Sequence, residues 1–114
     1  MLKETYFSAL KKIKADNPNA HFIAVSRIVP KGCIIDRWMA LAPSYSLLKD
    51  YQNFKVNWEQ YTEIFKEEMK YPVSQKQMRD IKMLAEKEDV YLVCWEGNGK
   101  NCHRHILIDL INKI

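Results

Sequence analysis

The chemistry-bearing residues of this chain gather near its end, where Cys94-Trp95-Glu96 is followed by Cys102-His103-Arg104. A thiolate is a nucleophile, a carboxylate and an imidazole can exchange protons, and a guanidinium forks onto phosphate or carboxylate with two hydrogen bonds. If Cys102-His103-Arg104 opens a helix, the free backbone N–H groups and the dipole there favour an anion or a thiolate. That pattern casts Arg104 as an anion clamp, Cys94 or Cys102 as the reactive or orienting thiol, and Glu96 and His103 as proton-transfer groups. A second group, Ser26, Arg27 and Lys31, adds a hydroxyl and two cations suited to the same anion.

Each residue also has a structural reading. A cysteine at a strand end commonly serves as a small core residue, which applies to Cys94 and Cys102. Glu96 can simply pair with Arg27 or Arg104, and His21 and His105 read as surface or packing residues. A zinc site from Cys94, Cys102 and His103, with or without Glu96, meets a spacing objection. Seven residues separate the cysteines, unlike a finger or ribbon, and adjacent ligands are awkward at a helix start. No metal is therefore assigned. Cys94-Trp95-Glu96 resembles half of a zinc-deaminase signature, but the downstream Pro-Cys-x-x-Cys is absent. Where a cysteine phosphatase carries its anion-binding arginine, this chain has Lys100. A rhodanese-like cysteine loop is an analogy of topology alone.

Two short apolar runs must position these residues. His21-Phe22-Ile23-Ala24-Val25 reads as a buried strand that delivers Ser26 and Arg27 into a Pro30-Lys31-Gly32 loop. Val90 to Trp95 contains no charge and is the clearest strand; Gly97-Asn98-Gly99 then turns the chain, and Asn101 can cap the last helix. That helix is expected to bury Ile106, Leu107, Leu110, Ile111 and Ile114. Leu2, Tyr6, Ala9, Leu10 and Ile13 fit a helix over 3–15 that stops at Asp16-Asn17-Pro18. Ser44 is a candidate N-cap for a helix with Leu47, Leu48 and Tyr51 inside, and Asn57 to Gln60 forms a capping box for a helix running to about Lys70. Pro72 breaks it, and Ser74 to Gln77 repeats the start signal for a helix to about Glu88. Residues 33–38 are either a short strand or irregular chain, and a third strand is expected there or at an edge. Strands alternating with helices imply a parallel, helix-covered sheet, in which ligands bind beyond the carboxyl ends of the strands.

Composition narrows the function classes. The 114 residues, 47% hydrophobic with three Gly and four Pro, can bury a core without metal or disulfide staples and fit one domain spanning 1–114. A net charge of +4 admits an anionic ligand but lacks the dense basic stripe of a dedicated nucleic-acid binder. The apolar runs fall far short of the roughly 20 residues that span a bilayer, so no membrane partner is expected. Three cysteines without framework spacing, and lysines through the first apolar stretch, predict free thiols, no signal peptide and a cytoplasmic location. Trp38, Trp58 and Trp95 with Tyr45, Tyr51 and Tyr61 could stack on bases, though aromatics at helical spacing more often pack helices. The lysines of 11–14 and 76–87 read as solvated helix faces.

With these residues in order, the chain resembles the family catalogued as domain of unknown function 488, over residues 5 to 112. The resemblance rests on Ser26-Arg27 with Pro30-Lys31, Leu41-Ala42-Pro43, the Tyr61 helix ending near Glu67-Glu68, and above all Val93-Cys94-Trp95-Glu96 with Cys102-His103-Arg104. It implies no activity or cofactor. It does imply that Arg27, Lys31, Cys94, Glu96, Cys102, His103 and Arg104 belong to one site. The resemblance also implies that many relatives begin with a strand where this chain reads as a helix.

These readings combine into a small α/β domain, a helix-covered parallel sheet of Rossmann-like three-layer form. The expected ligand is a phosphate-bearing small molecule, nucleotide or nucleic acid, held at the strand ends with thiol or acid/base chemistry beside it. The alternatives are a non-catalytic module that binds nucleic acid or protein and, below that, a metal-binding protein. Neither a cofactor nor an oligomeric state follows from the pattern.

Overall fold

A computed structural model describes residues 1–95 and 101–114. Four parallel strands form one sheet in the order β1-β4-β2-β3, from β1 (Leu2–Tyr6), β2 (His21–Ala24), β3 (Asp36–Arg37) and β4 (Val90–Cys94). The helices are α1 (Phe7–Asp16), α2 (Tyr45–Gln52), α3 (Trp58–Glu68), α4 (Pro72–Lys87) and α5 (His103–Asn112). A short 3-10 turn, Met39–Leu41, precedes α2.

The uncharged run of β4 is buried along its whole length because β4 lies between β1 and β2 with helices on both faces. Successive side chains alternate between the faces. Val90, Leu92 and Cys94 join the larger core with Phe65, Met78, Ile81, Leu107 and Ile111 of α3, α4 and α5. Tyr91 and Val93 join a smaller one with Leu10 of α1, bordered by Phe22. The result is the expected three-layer α/β arrangement.

Several local signals act as read. Ser44 Oγ accepts from Leu47 N at 3.1 Å, and Asn57 and Gln60 exchange both bonds of a capping box. Others need correction. Leu2–Tyr6 is a strand, so α1 starts only at Phe7; the exposed edge of β4 captures this segment in register, Leu2 beside Val90 and Tyr6 beside Cys94. The first element is therefore a strand and not a helix. α4 starts at Pro72, whose missing N–H costs nothing at a first helical position. Ser74 lies inside the helix and donates to Ala40 O at 2.6 Å. The third strand is reduced to Asp36–Arg37. Ile106, Leu107 and Ile111 are buried, but Ile114 is 47% exposed. Among the described residues no helix is long and apolar enough to cross a membrane.

Candidate functional site

β2 and β4 are neighbours, with Ala24 level with Val93 and the ladder extended by Val25 N to Val93 O at 3.0 Å. Their carboxyl ends therefore face one crevice, and a cavity of about 370 Å³ opens there. Ser26, Arg27 and Ile28 line one side. Trp95, Asn101, Cys102 and His103 line another. The third wall comes from α2 and α3, through Leu48, Tyr51, Trp58 and Tyr61.

Within the crevice the polar groups differ in availability. Ser26 Oγ is spent on Ile28 O at 2.7 Å, within its own turn. Arg27 Nη1 donates to Pro43 O at 3.0 Å, which anchors the guanidinium at the wall while leaving further donors. The rings form a contiguous group: Trp58 stacks on Tyr61 at 4.9 Å between centroids, Tyr51 lies 5.0 Å from Tyr61, and Phe65 sets its edge to His103 at 5.4 Å. Trp95, half exposed, rests against Phe7 and donates its indole N–H to Ile28 O at 2.6 Å.

Beneath the cavity the groups are buried. Cys102 is the N-cap of α5, in extended conformation, and His103 is its first helical residue. Asn101 does not cap this helix but stands in the cavity wall. His103 Nε2 is bonded to Val25 O at 2.6 Å; a carbonyl only accepts, so Nε2 carries the ring proton and Nδ1 faces Cys102 Sγ at 3.7 Å. Burial, reinforced by the charges of Arg104 and His105 and opposed by the Val25 bond, lowers the His103 pKa from its ordinary 6.5 to about 4. The ring is neutral at physiological pH. Cys94 and Cys102, expected as free thiols, are joined as a disulfide, because the end of β4 and the start of α5 bring both side chains to one buried point. Cys33 alone is free.

Arg104 does not line the cavity as an anion clamp would. It is fully buried, with Nε on Glu4 Oε1 at 2.8 Å and Nη1 on Cys94 Sγ at 3.3 Å. Glu4 Oε1 also meets His105 Nδ1 at 2.6 Å. The first turn of α5 contains no acidic residue, and cations there oppose the helix dipole. Glu4, projecting from β1, supplies the missing negative charge. A helix over 3–15, as the sequence suggests, hides this role, and the partner Arg104 lies a hundred positions away. Lys31 is exposed and absent from the described wall. Glu96 falls outside the described residues.

Thus the structure gathers Ser26, Arg27, Cys102 and His103 around one cavity, with Cys94 and Arg104 directly behind it. The sequence offers Tyr51, Trp58, Tyr61 and Trp95 as a base-stacking surface but favours helix packing and leaves them out of the site, whereas all four stand in the cavity wall. A family model described as "DUF488-N3a: Active DUF488-N3 subclade" matches residues 6–114. No curated protein and no solved structure matches the chain.

Proposed function

The chain belongs to the family of domain of unknown function 488, and from that premise we propose that the strand-end cavity binds a nucleotide or a nucleotide unit of nucleic acid. The observation that carries this reading is one cavity walled by stacked aromatic rings on one side and by Arg27 on another. Such walls suit a planar base and its phosphate: base–aromatic stacking contributes about 1–3 kcal/mol, and a charge-assisted bond from a guanidinium about 1.5–3 kcal/mol. Arg27 holds the phosphate, while Trp58 and Trp95 offer ring surface at the wall. Lys31, exposed nearby in sequence, adds attraction rather than contact. Cys102 and His103 form the floor, and once the Cys94–Cys102 disulfide is reduced they are the thiol and the base best placed to act on a bound group. Arg104 acts through Cys94 and Glu4 and not on the ligand, and Glu96 remains a candidate proton donor or acceptor.

The test is thermal stabilisation across nucleosides, nucleoside mono-, di- and triphosphates, inorganic phosphate and a short single strand. A nucleoside phosphate is expected to raise Tm more than the nucleoside or phosphate alone. Trp58→Ala is expected to weaken that ligand roughly five- to hundredfold, the equivalent of one stacking contact. A panel without any stabilisation, or a response that inorganic phosphate reproduces in full, contradicts the proposal. Equal binding by Cys102→Ser together with no turnover of the ligand by the native chain points to a module without chemistry.

A further inference from the structure

The sulfurs of Cys94 and Cys102 and a ring nitrogen of His103 lie within 4.8 Å of one another, all buried. Two features of this trio exceed what a structural disulfide beside a packed histidine requires. The first is the histidine. With Nε2–H fixed on the Val25 carbonyl, the unprotonated Nδ1 is aimed at Cys102 Sγ, and a metal-bound histidine is held in this way, its second nitrogen donating to a carbonyl or carboxylate. The second is the reach between the cysteines. Their Cα atoms are 7.8 Å apart, wider than the roughly 4.4–6.8 Å usual for a disulfide. Two thiolates that share an ion, each about 2.3 Å from it, accept a wider separation.

The spacing objection also loses its force. Cys102 has φ −150° and ψ 143°, extended backbone outside the helix, so it and the helical His103 present their side chains to one point despite being adjacent. Arg104 Nη1, 3.3 Å from Cys94 Sγ, adds a cation that favours the thiolate. We propose that in the reduced protein Cys94, Cys102 and His103 bind Zn²⁺ at the floor of the cavity.

Two thiolates and an imidazole select a soft or borderline ion over Mg²⁺ or Ca²⁺. Reduction by a small dithiol moves two electrons to the Cys94–Cys102 bond, and with two protons it yields two thiols while the reductant becomes a disulfide. Binding Zn²⁺ then releases both thiol protons. Among the described residues the trio has three members, and a three-ligand set with an open position is the pattern of catalytic zinc. Because Cys102 and His103 also line the cavity, a ligand oxygen or a water molecule there can complete the coordination. This site deepens the reading of the cavity but stands on different atoms from Arg27 and the aromatic wall, so either can fail alone.

The experiment is Co²⁺ titration of dithiol-reduced full-length protein under anaerobic conditions, followed by Zn²⁺ displacement. Strong visible bands of tetrahedral Co²⁺ and near-ultraviolet thiolate-to-cobalt absorption are expected at stoichiometric metal, with Zn²⁺ abolishing both. Cys94→Ser and Cys102→Ser should each lose most of the thiolate absorption while retaining native circular dichroism, and Cys33→Ser should keep it. His103→Gln should weaken Co²⁺ binding. The proposal is overturned if reduced protein shows no thiolate-to-cobalt absorption, if Cys102→Ser leaves it unchanged, or if native protein treated with the dithiol, freed of it and then denatured still titrates as a single thiol.

Discussion

The two ends of the sheet carry similar residue types and treat them in opposite ways. At the amino ends of the strands, Lys3 meets Asp89 at 3.3 Å and His21 meets Glu88, all at partly exposed positions. The pair shifts as partners do: the Asp89 bond raises Lys3, and the Lys3 bond lowers Asp89. At the carboxyl ends, Arg104 and His103 are buried, one against Glu4 and Cys94, the other against Val25 and Cys102. Water solvates the first set with or without its partners. The second set has no such alternative, so every polar atom must be met by protein. A cluster of charges marks a site only when burial forces its members into fixed roles beside an open cavity, and the carboxyl end alone combines the two.

Adjacent residues of β1 offer the sharpest way to break this contrast. Glu4→Ala removes the carboxylate from a fully buried guanidinium and is expected to cost about 3–5 kcal/mol, measured by urea denaturation. If the loss is no larger than that of an exposed ion pair, Arg104 is not held as described.

The pH dependence of the oxidised protein, whose disulfide leaves neither Cys94 nor Cys102 as a thiolate for an ion, should show the second largest effect. The His103 pKa is lowered in the folded state from 6.5 to about 4, so the unfolded chain binds a proton that the folded chain refuses. Its contribution to stability is therefore complete above pH 6.5, falls as the pH drops, and levels off below about 4. The slope approaches ~1.4 kcal/mol per pH unit and the full fall is about 3 kcal/mol. Urea midpoints across this range check it, and His103→Gln should flatten this component.

Replacing the partner of Lys3 belongs at the small end. Asp89→Asn is expected to shift stability slightly, and less still at high salt, because exposed pairs are screened. A salt-insensitive loss as large as that of Glu4→Ala would erase the distinction between the two ends.

The features legible in the sequence were local ones. Ser44 and Asn57 act through neighbours three residues away, and the uncharged run of β4 announces a strand covered on both faces. The crevice was legible once β2 and β4 were read as strands, because parallel sheets place their carboxyl ends together. What escaped depended on distant partners. Leu2 and Tyr6 fit helical spacing as well as a strand, and only the edge of β4 decides between them. The turn of Arg104 away from the cavity follows from Glu4, which no local pattern connects to it. The meeting of Cys94 with Cys102 likewise follows from how α5 packs on the sheet, not from their spacing.

The most direct test of the central claim compares Arg27→Ala with Lys3→Ala, two variants that remove the same charge from opposite ends of the sheet. Quenching of tryptophan fluorescence by a nucleoside phosphate, titrated at fixed ionic strength, gives the affinity of each. The account predicts that Arg27→Ala weakens binding by roughly tenfold or more, the equivalent of one charge-assisted bond, while Lys3→Ala binds as the native chain does. Equal losses in both variants, or none in either, would contradict it.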